Sequence, residues 1–131
     1  CTIVFMHHPR WASSTTFATA EVQAIVQAMY DYGVELYLAG HAHFYERFAR
    51  QNAAGNPDAT YGVREIITGV GGRDFSGFNT VAANSEVRQN NTFGVLKLTL
   101  SANQYTIQFV PIAGSSWTDG PITESCHGPH P

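Results

Sequence analysis

Two histidines one residue apart, His41 and His43, follow the apolar run Leu36-Tyr37-Leu38-Ala39 and Gly40. In extended backbone, side chains at i and i+2 leave on the same side. His41 and His43 would then be presented together where a buried strand ends. Gly40 suits a sharp exit there, because it lacks a Cβ. Neutral imidazole is the commonest protein ligand for transition metals. An isolated His-x-His is equally at home on an ordinary loop, so the chemistry needs a second source of donors.

The opening stretch supplies one. Cys1-Thr2-Ile3-Val4-Phe5-Met6 is strand-like and ends in His7-His8, and Pro9 then stops regular structure. What would position the two histidine pairs is the segment between them. Thr19 can cap a helix beginning near Ala20. Val22, Ile25, Val26 and Met29 follow i, i+3, i+4, i+7 spacing and give that helix one apolar face. Gly33 stands where a helix C-terminal glycine belongs, and Val34 to Ala39 is the next strand. Strand, helix, strand over this length is a βαβ-type unit with neighbouring parallel strands. It brings His7 and His41 to one side of a sheet, outside the carboxyl ends of its strands, where ligand sites collect.

The remainder is less chemical. Val63 to Thr68 is strand-like. Gly69-Val70-Gly71-Gly72-Arg73-Asp74 lacks the spacing and the Lys-Ser/Thr end of a phosphate loop and reads as a tight turn. Residues 75–91 are polar and irregular. Phe93 to Leu100 and Tyr105 to Ile112 form an antiparallel hairpin about Ser101-Ala102-Asn103. The stretch 114–131 is a Gly/Ser/Pro-rich tail, with His127 and His130 read as solvated.

At 131 residues the chain is at most one domain, and 44% hydrophobic against 13% charged content is that of a globular protein. A net charge of -3 without a basic cluster argues against nucleic acid as the main partner. No run is apolar enough to span a bilayer, and no membrane partner is expected. The first residue already stands at a strand edge and is not Met, which points to a piece of a longer protein. The sparse charge, with Lys97 the only lysine, suits an exported protein. Cys1 and Cys126 lack zinc or redox spacing. They are either one disulfide tying the ends together, as an oxidising compartment permits, or two free thiols.

Val4-Phe5-Met6-His7 with Pro9, then Gly40-His41-Ala42-His43 with Tyr45-Glu46-Arg47, resembles the C-terminal half of purple acid phosphatases, within the calcineurin-like metallophosphoesterases. Asn84-Ser85-Glu86-Val87-Arg88, Thr92 to Leu98 and Cys126-His127 are similar to phrases of secreted bacterial members. The resemblance covers nearly the whole chain. It implies an α/β fold, the C-terminal half of a metallophosphoesterase sandwich, with a βαβ unit followed by antiparallel strands. Residues 1–131 would be the C-terminal portion of a single catalytic domain, incomplete alone.

It further implies that His7 and His41 bind one metal of a dinuclear centre and His43 the other. The metals would be two divalent or trivalent ions, Fe, Zn or Mn. His8 would lie behind the metal ligands or face the substrate phosphate, where it is a candidate to protonate the leaving group, while Tyr45, Glu46 and Arg47 support the histidine loop. The family's aspartate and asparagine motifs are absent here. Three histidines without a bridging carboxylate do little to offset the repulsion of two dications. The acidic half would come from the upstream N-terminal half of the same protein, and the substrate would be a phosphate ester. The competing readings are a non-catalytic fragment or a binding module. A metallo-β-lactamase-type site, which continues His-x-His with Asp and a further His, fits poorly because Phe44-Tyr45-Glu46 follows.

Overall fold

A computed structural model describes residues 1–130. Strand β1 (Thr2–Met6) is followed by a 3-10 turn (Ala20–Val22), helix α1 (Gln23–Asp31) and strand β2 (Val34–Ala39). β3 (Tyr45–Phe48), β4 (Arg64–Thr68), β5 (Ser85–Gln89), β6 (Gly94–Leu100), β7 (Gln104–Pro111) and β8 (Ile122–Ser125) complete the chain. A five-stranded sheet has the order β1-β2-β4-β3-β5, and a three-stranded sheet the order β6-β7-β8. β1 is parallel to β2 and β2 to β4, whereas β3 runs antiparallel to β4 and β5. The expected α/β class and the βαβ unit are both present.

The large sheet is covered on both faces, so Leu36 to Ala39 of β2 read as a continuous apolar run rather than an alternating one. Tyr37 and Ala39 pack with Val26 and Met29 of α1, together with Phe44, Phe48, Val63 and Ile67. Leu36, Tyr45 and Ile66 leave the other face and meet Tyr105, Ile107 and Phe109 of β7. Each such fully buried Leu, Ile or Phe contributes about 1.5–3 kcal/mol relative to exposure.

Several local expectations change. Thr19 does not cap α1; its hydroxyl donates to the Phe17 carbonyl at 3.1 Å, and the helix proper starts three residues after Ala20 behind a tighter turn. Ile25 is exposed, so the apolar face narrows to Val26 and Met29 with partial help from Val22. The stretch 75–91 contains β5, and the tail contains β8. Both strands are four or five residues long, and both exist because a partner strand supplies their hydrogen bonds. His127 is half-buried rather than a solvated tail residue, and His130 packs its ring 5.0 Å from that of Tyr30.

Charged residues tie the two sheets together. Arg64 of β4 donates to Glu124 of β8 at 2.7 Å and to Glu86 of β5 at 2.8 Å. Arg47 of β3 donates to Asp119 at 2.7 Å and also engages Glu86. Tyr45 donates its hydroxyl to Asp119 at 2.8 Å. Burial would raise the Glu124 carboxyl, but the Arg64 and Tyr105 hydrogen bonds outweigh it and hold the group below its ordinary value. Buried charges require such partners. Tyr45 and Arg47 therefore join the sheets rather than supporting the histidine loop as expected.

The chain ends are stapled. Cys1 and Cys126 form a disulfide, which settles the choice between a bond and free thiols. Beside it Glu35 accepts backbone N–H bonds from Thr2 at 2.6 Å, His127 at 2.9 Å and Gly128 at 3.1 Å. Gly33 has φ +71° and touches the Gly128 backbone so closely that a Cβ there would lie 2.1 Å from it. No helix among the described residues is long and apolar enough to cross a membrane.

Candidate metal centre

β1, β2 and β4 are neighbours and parallel, so their carboxyl ends lie along one edge. Met6 is in register with Ala39, which places His7-His8 beside Gly40-His41. The Gly40 N–H donates to the His7 carbonyl at 3.0 Å and locks the two exits together. Nε2 of His7 lies 3.1 Å from Nδ1 of His41. The ring of His8 stands 4.6 Å from that of His41 and 4.8 Å from that of His7. One ring nitrogen from each of His7, His8 and His41 falls within 4.8 Å of the others. His7 and His8 are exposed and His41 is half-buried, with Phe17 packed edge-on against its ring at 5.4 Å. Burial first, then the neighbouring imidazoles His8, His7 and His43, lower the pKa of His41 from its ordinary value.

His43 takes another direction. The same-side expectation assumed extended backbone, but His41 has φ +63°. Ala42 donates to the Gly40 carbonyl at 2.7 Å and Phe44 to the Ala42 carbonyl at 2.9 Å. These are successive three-residue turns, so the i, i+2 rule does not apply. His43 Nδ1 instead meets the carboxylate of Asp74. The structure thus gathers His7, His8 and His41 and leaves His43 outside that group.

Three residues that hold the edge escaped the sequence reading. Tyr37 of β2 donates its hydroxyl to the His8 carbonyl. Glu65 of β4 accepts the N–H groups of Arg10 at 2.9 Å and Trp11 at 3.0 Å. Burial raises the Glu65 carboxyl to about 8, against the opposing pull of those two N–H groups. Asp74 comes from the glycine-rich turn. Glu46, which was expected to support the histidine loop, instead holds the segment after His7-His8. It accepts the Ser13 N–H at 2.8 Å and the hydroxyls of Ser13 and Ser85. The available signal was polar residues inside apolar strands: Glu46 and Glu65 are both fully buried.

Three neutral imidazoles fit a single borderline cation such as Zn²⁺ with one position open, a donor set used at catalytic zinc sites. They do not by themselves fit two cations. No carboxylate belongs to this group among the described residues, and Asp74 is engaged with His43. Cys1, Glu35 and Cys126 also lie close together, but the disulfide consumes both sulfurs.

The fold has counterparts among solved structures. The chain superposes on a purple acid phosphatase from yellow lupin (Lupinus luteus) seeds with a TM-score of 0.74 and 18% identity. That match covers 94% of this chain and 24% of the lupin protein. The fold is similar to that of part of this phosphatase. A second match is GAP50, the anchor in the inner membrane complex of Plasmodium, with a TM-score of 0.72 and 17% identity. It covers 98% of this chain and 36% of that protein. The chain therefore spans about a quarter and about a third of these two proteins. No family model and no curated protein matches the sequence.

Proposed function

We propose that this chain carries the histidine half of a dinuclear centre that hydrolyses phosphate esters, as the C-terminal portion of one catalytic domain of the secreted bacterial type. The carboxylate ligands would come from the upstream N-terminal half of the same protein. The observation that carries the reading is the 3.1 Å approach of His7 to His41 at the carboxyl edge of parallel strands, in a metallophosphoesterase-like fold. The likeness in fold to the lupin purple acid phosphatase supports the reading. The disulfide is compatible with export.

In this reading His7 and His41 hold one ion and His43 the other, Fe, Zn and Mn being the candidates. Ions held there would acidify a water and offset the charge of the phosphoryl oxygens. The residues of the chain do the rest. His8, in ring contact with His41, would protonate the leaving oxygen. Glu65 and Tyr37 keep the His7-His8 exit against β2 and β4.

The test is p-nitrophenyl phosphate turnover with added divalent metal, for the chain alone and for the chain co-produced with its upstream half. Turnover is expected from the assembled protein and lost on His7→Ala plus His41→Gly. Undiminished turnover in that double variant would refute the proposal.

A second reading has its own support. The histidine group holds no carboxylate among the described residues, and a protein of similar fold is an anchor. A non-catalytic binding role predicts an assembled protein that binds no second metal and turns nothing over.

A further inference from the structure

The glycine-rich turn after β4 fell outside the chemistry above, yet it lies at the same sheet edge as the histidines. β4 is parallel to β2, so Gly69 to Asp74 leave the sheet where His41 does. The root of the turn is pressed onto the histidine loop. A Cβ on Gly69 would lie 1.9 Å from the Ala42 carbonyl oxygen, and the Gly69 N–H donates to Phe44 at 3.2 Å. Its far side is stitched as well: Ser76 donates its N–H to the His43 carbonyl at 2.9 Å. Asn90 in turn donates to the Ser76 carbonyl at 2.9 Å. The tip is open, since a Cβ on Gly71 or Gly72 would meet nothing. Between the fixed ends sits Asp74, with one carboxylate oxygen on His43 Nδ1.

We infer that Asp74 is a positioning residue for His43: it accepts the Nδ1–H and leaves Nε2 as the unprotonated nitrogen of that ring. This deepens the proposed function and rests on it where His43 is taken as a ligand. A neutral imidazole has one N–H and one lone pair, and the hydrogen bond made by one nitrogen decides the state of the other. Metal-binding histidines commonly use their second nitrogen on a carboxylate, and losing that partner typically costs about 10–100-fold in metal affinity. The backbone bends at His41 separate His43 from His7 and His8. The pairing with Asp74 thus gives the stray ring of the His-x-His motif a defined role. Arg73 Nε lies 4.0 Å from the same Asp74 oxygen and is mostly exposed. It adds a cation near Asp74 without taking its place on His43.

The test is long-range ¹H–¹⁵N correlation of the histidine rings in the metal-free chain, followed by Zn²⁺ titration, in wild type, Asp74→Ala and Asp74→Asn. The expected wild-type ring of His43 is protonated on Nδ1. In Asp74→Ala the two tautomers mix, and the Zn²⁺ concentration that half-saturates the His43 signal rises about 10–100-fold. Asp74→Asn, whose amide oxygen can still accept, is expected to fall between the two. Because Asp74 is 61% exposed, the variants are expected to fold, and circular dichroism checks this. A wild-type His43 protonated on Nε2 overturns the inference, as does an Asp74→Ala spectrum and titration matching wild type. If no histidine signal responds to Zn²⁺ even in the chain co-produced with its upstream half, the proposed function fails, while the metal-free tautomer still decides what Asp74 does to His43.

Discussion

His7 Nε2 and His41 Nδ1 lie 3.1 Å apart across 34 positions of sequence. The contact follows from the parallel register of β1 and β2, in which Met6 faces Ala39. It also requires His41 in a left-handed conformation at φ +63°, which turns its ring back toward β1.

That conformation separates two effects of mutation. A side chain other than glycine held there costs about 1–2 kcal/mol. His41→Gly therefore removes the ring and the backbone strain together, whereas His41→Ala removes only the ring. Both variants are expected to weaken Zn²⁺ binding at least tenfold in a competition assay with a chromophoric chelator. His41→Gly should be the more stable of the two in urea. Equal Zn²⁺ affinity in wild type and His41→Gly would remove His41 from the ligand set.

Glu65 gives a pH dependence of definite sign. Its folded carboxyl is raised to about 8 from an ordinary 4.5, chiefly by burial. Above pH 4.5 the unfolded state loses this proton while the folded state keeps it. Raising the pH then favours unfolding, until the folded group also ionises near 8. The stability of wild type relative to Glu65→Gln should fall steadily from pH 5 to pH 8 and then level off. Urea unfolding of both proteins at pH 5, 6.5, 8 and 9 measures it, and a wild type that gains stability relative to Glu65→Gln as the pH rises would contradict the assignment.

The bridge between the sheets should be costly to break from one side. Arg64, with a side chain 9% exposed, holds both Glu124 and Glu86. Arg64→Ala leaves the Glu124 carboxylate with only the Tyr105 hydroxyl and an Arg50 contact at 3.5 Å and is expected to cost about 3 kcal/mol. Replacing Arg64 and Glu124 together by apolar residues of similar volume should recover much of that loss. Chemical denaturation of the single and double variants reads both values.

The staple at the chain ends closes a sequence separation of 125 residues. Chain-entropy arguments give a loop of that size several kcal/mol, and removal of native disulfides typically costs about 2–5 kcal/mol. Cys1→Ser plus Cys126→Ser is expected to lower the thermal midpoint and to loosen Glu35. The carboxyl of Glu35 lies below its ordinary value because the Gly128, Thr2 and His127 N–H groups outweigh its burial. Amide exchange at those three residues should quicken in the double variant while exchange in β7 changes little.

Much of the scaffold was legible because its signals are local. The apolar runs at Ile3 to Met6 and Val34 to Ala39, the spacing of Val26 and Met29, and Gly33 with φ +71° all report on backbone periodicity or dihedral freedom. The hairpin of β6 and β7 alternates cleanly, with Tyr105, Ile107 and Phe109 turned inward. β3, β5 and β8 were not legible. Tyr45-Glu46-Arg47 and Ile122-Thr123-Glu124 carry charges that belong on a surface until Asp119, Glu86 and Arg64 meet them inside.

The sequence alone determined that histidines from two distant segments would meet at one sheet edge, because a helix between two parallel strands leaves little choice of side. Only the tertiary structure decided which histidines share that meeting point. The direction of a ring on a turn depends on dihedrals that residue type does not fix, and His41 in the left-handed region sends its ring toward His7 and His8 and leaves His43 to Asp74. The same holds for Glu65 and Glu46, whose burial beneath the loop depends on N–H groups up to 55 positions away in the chain.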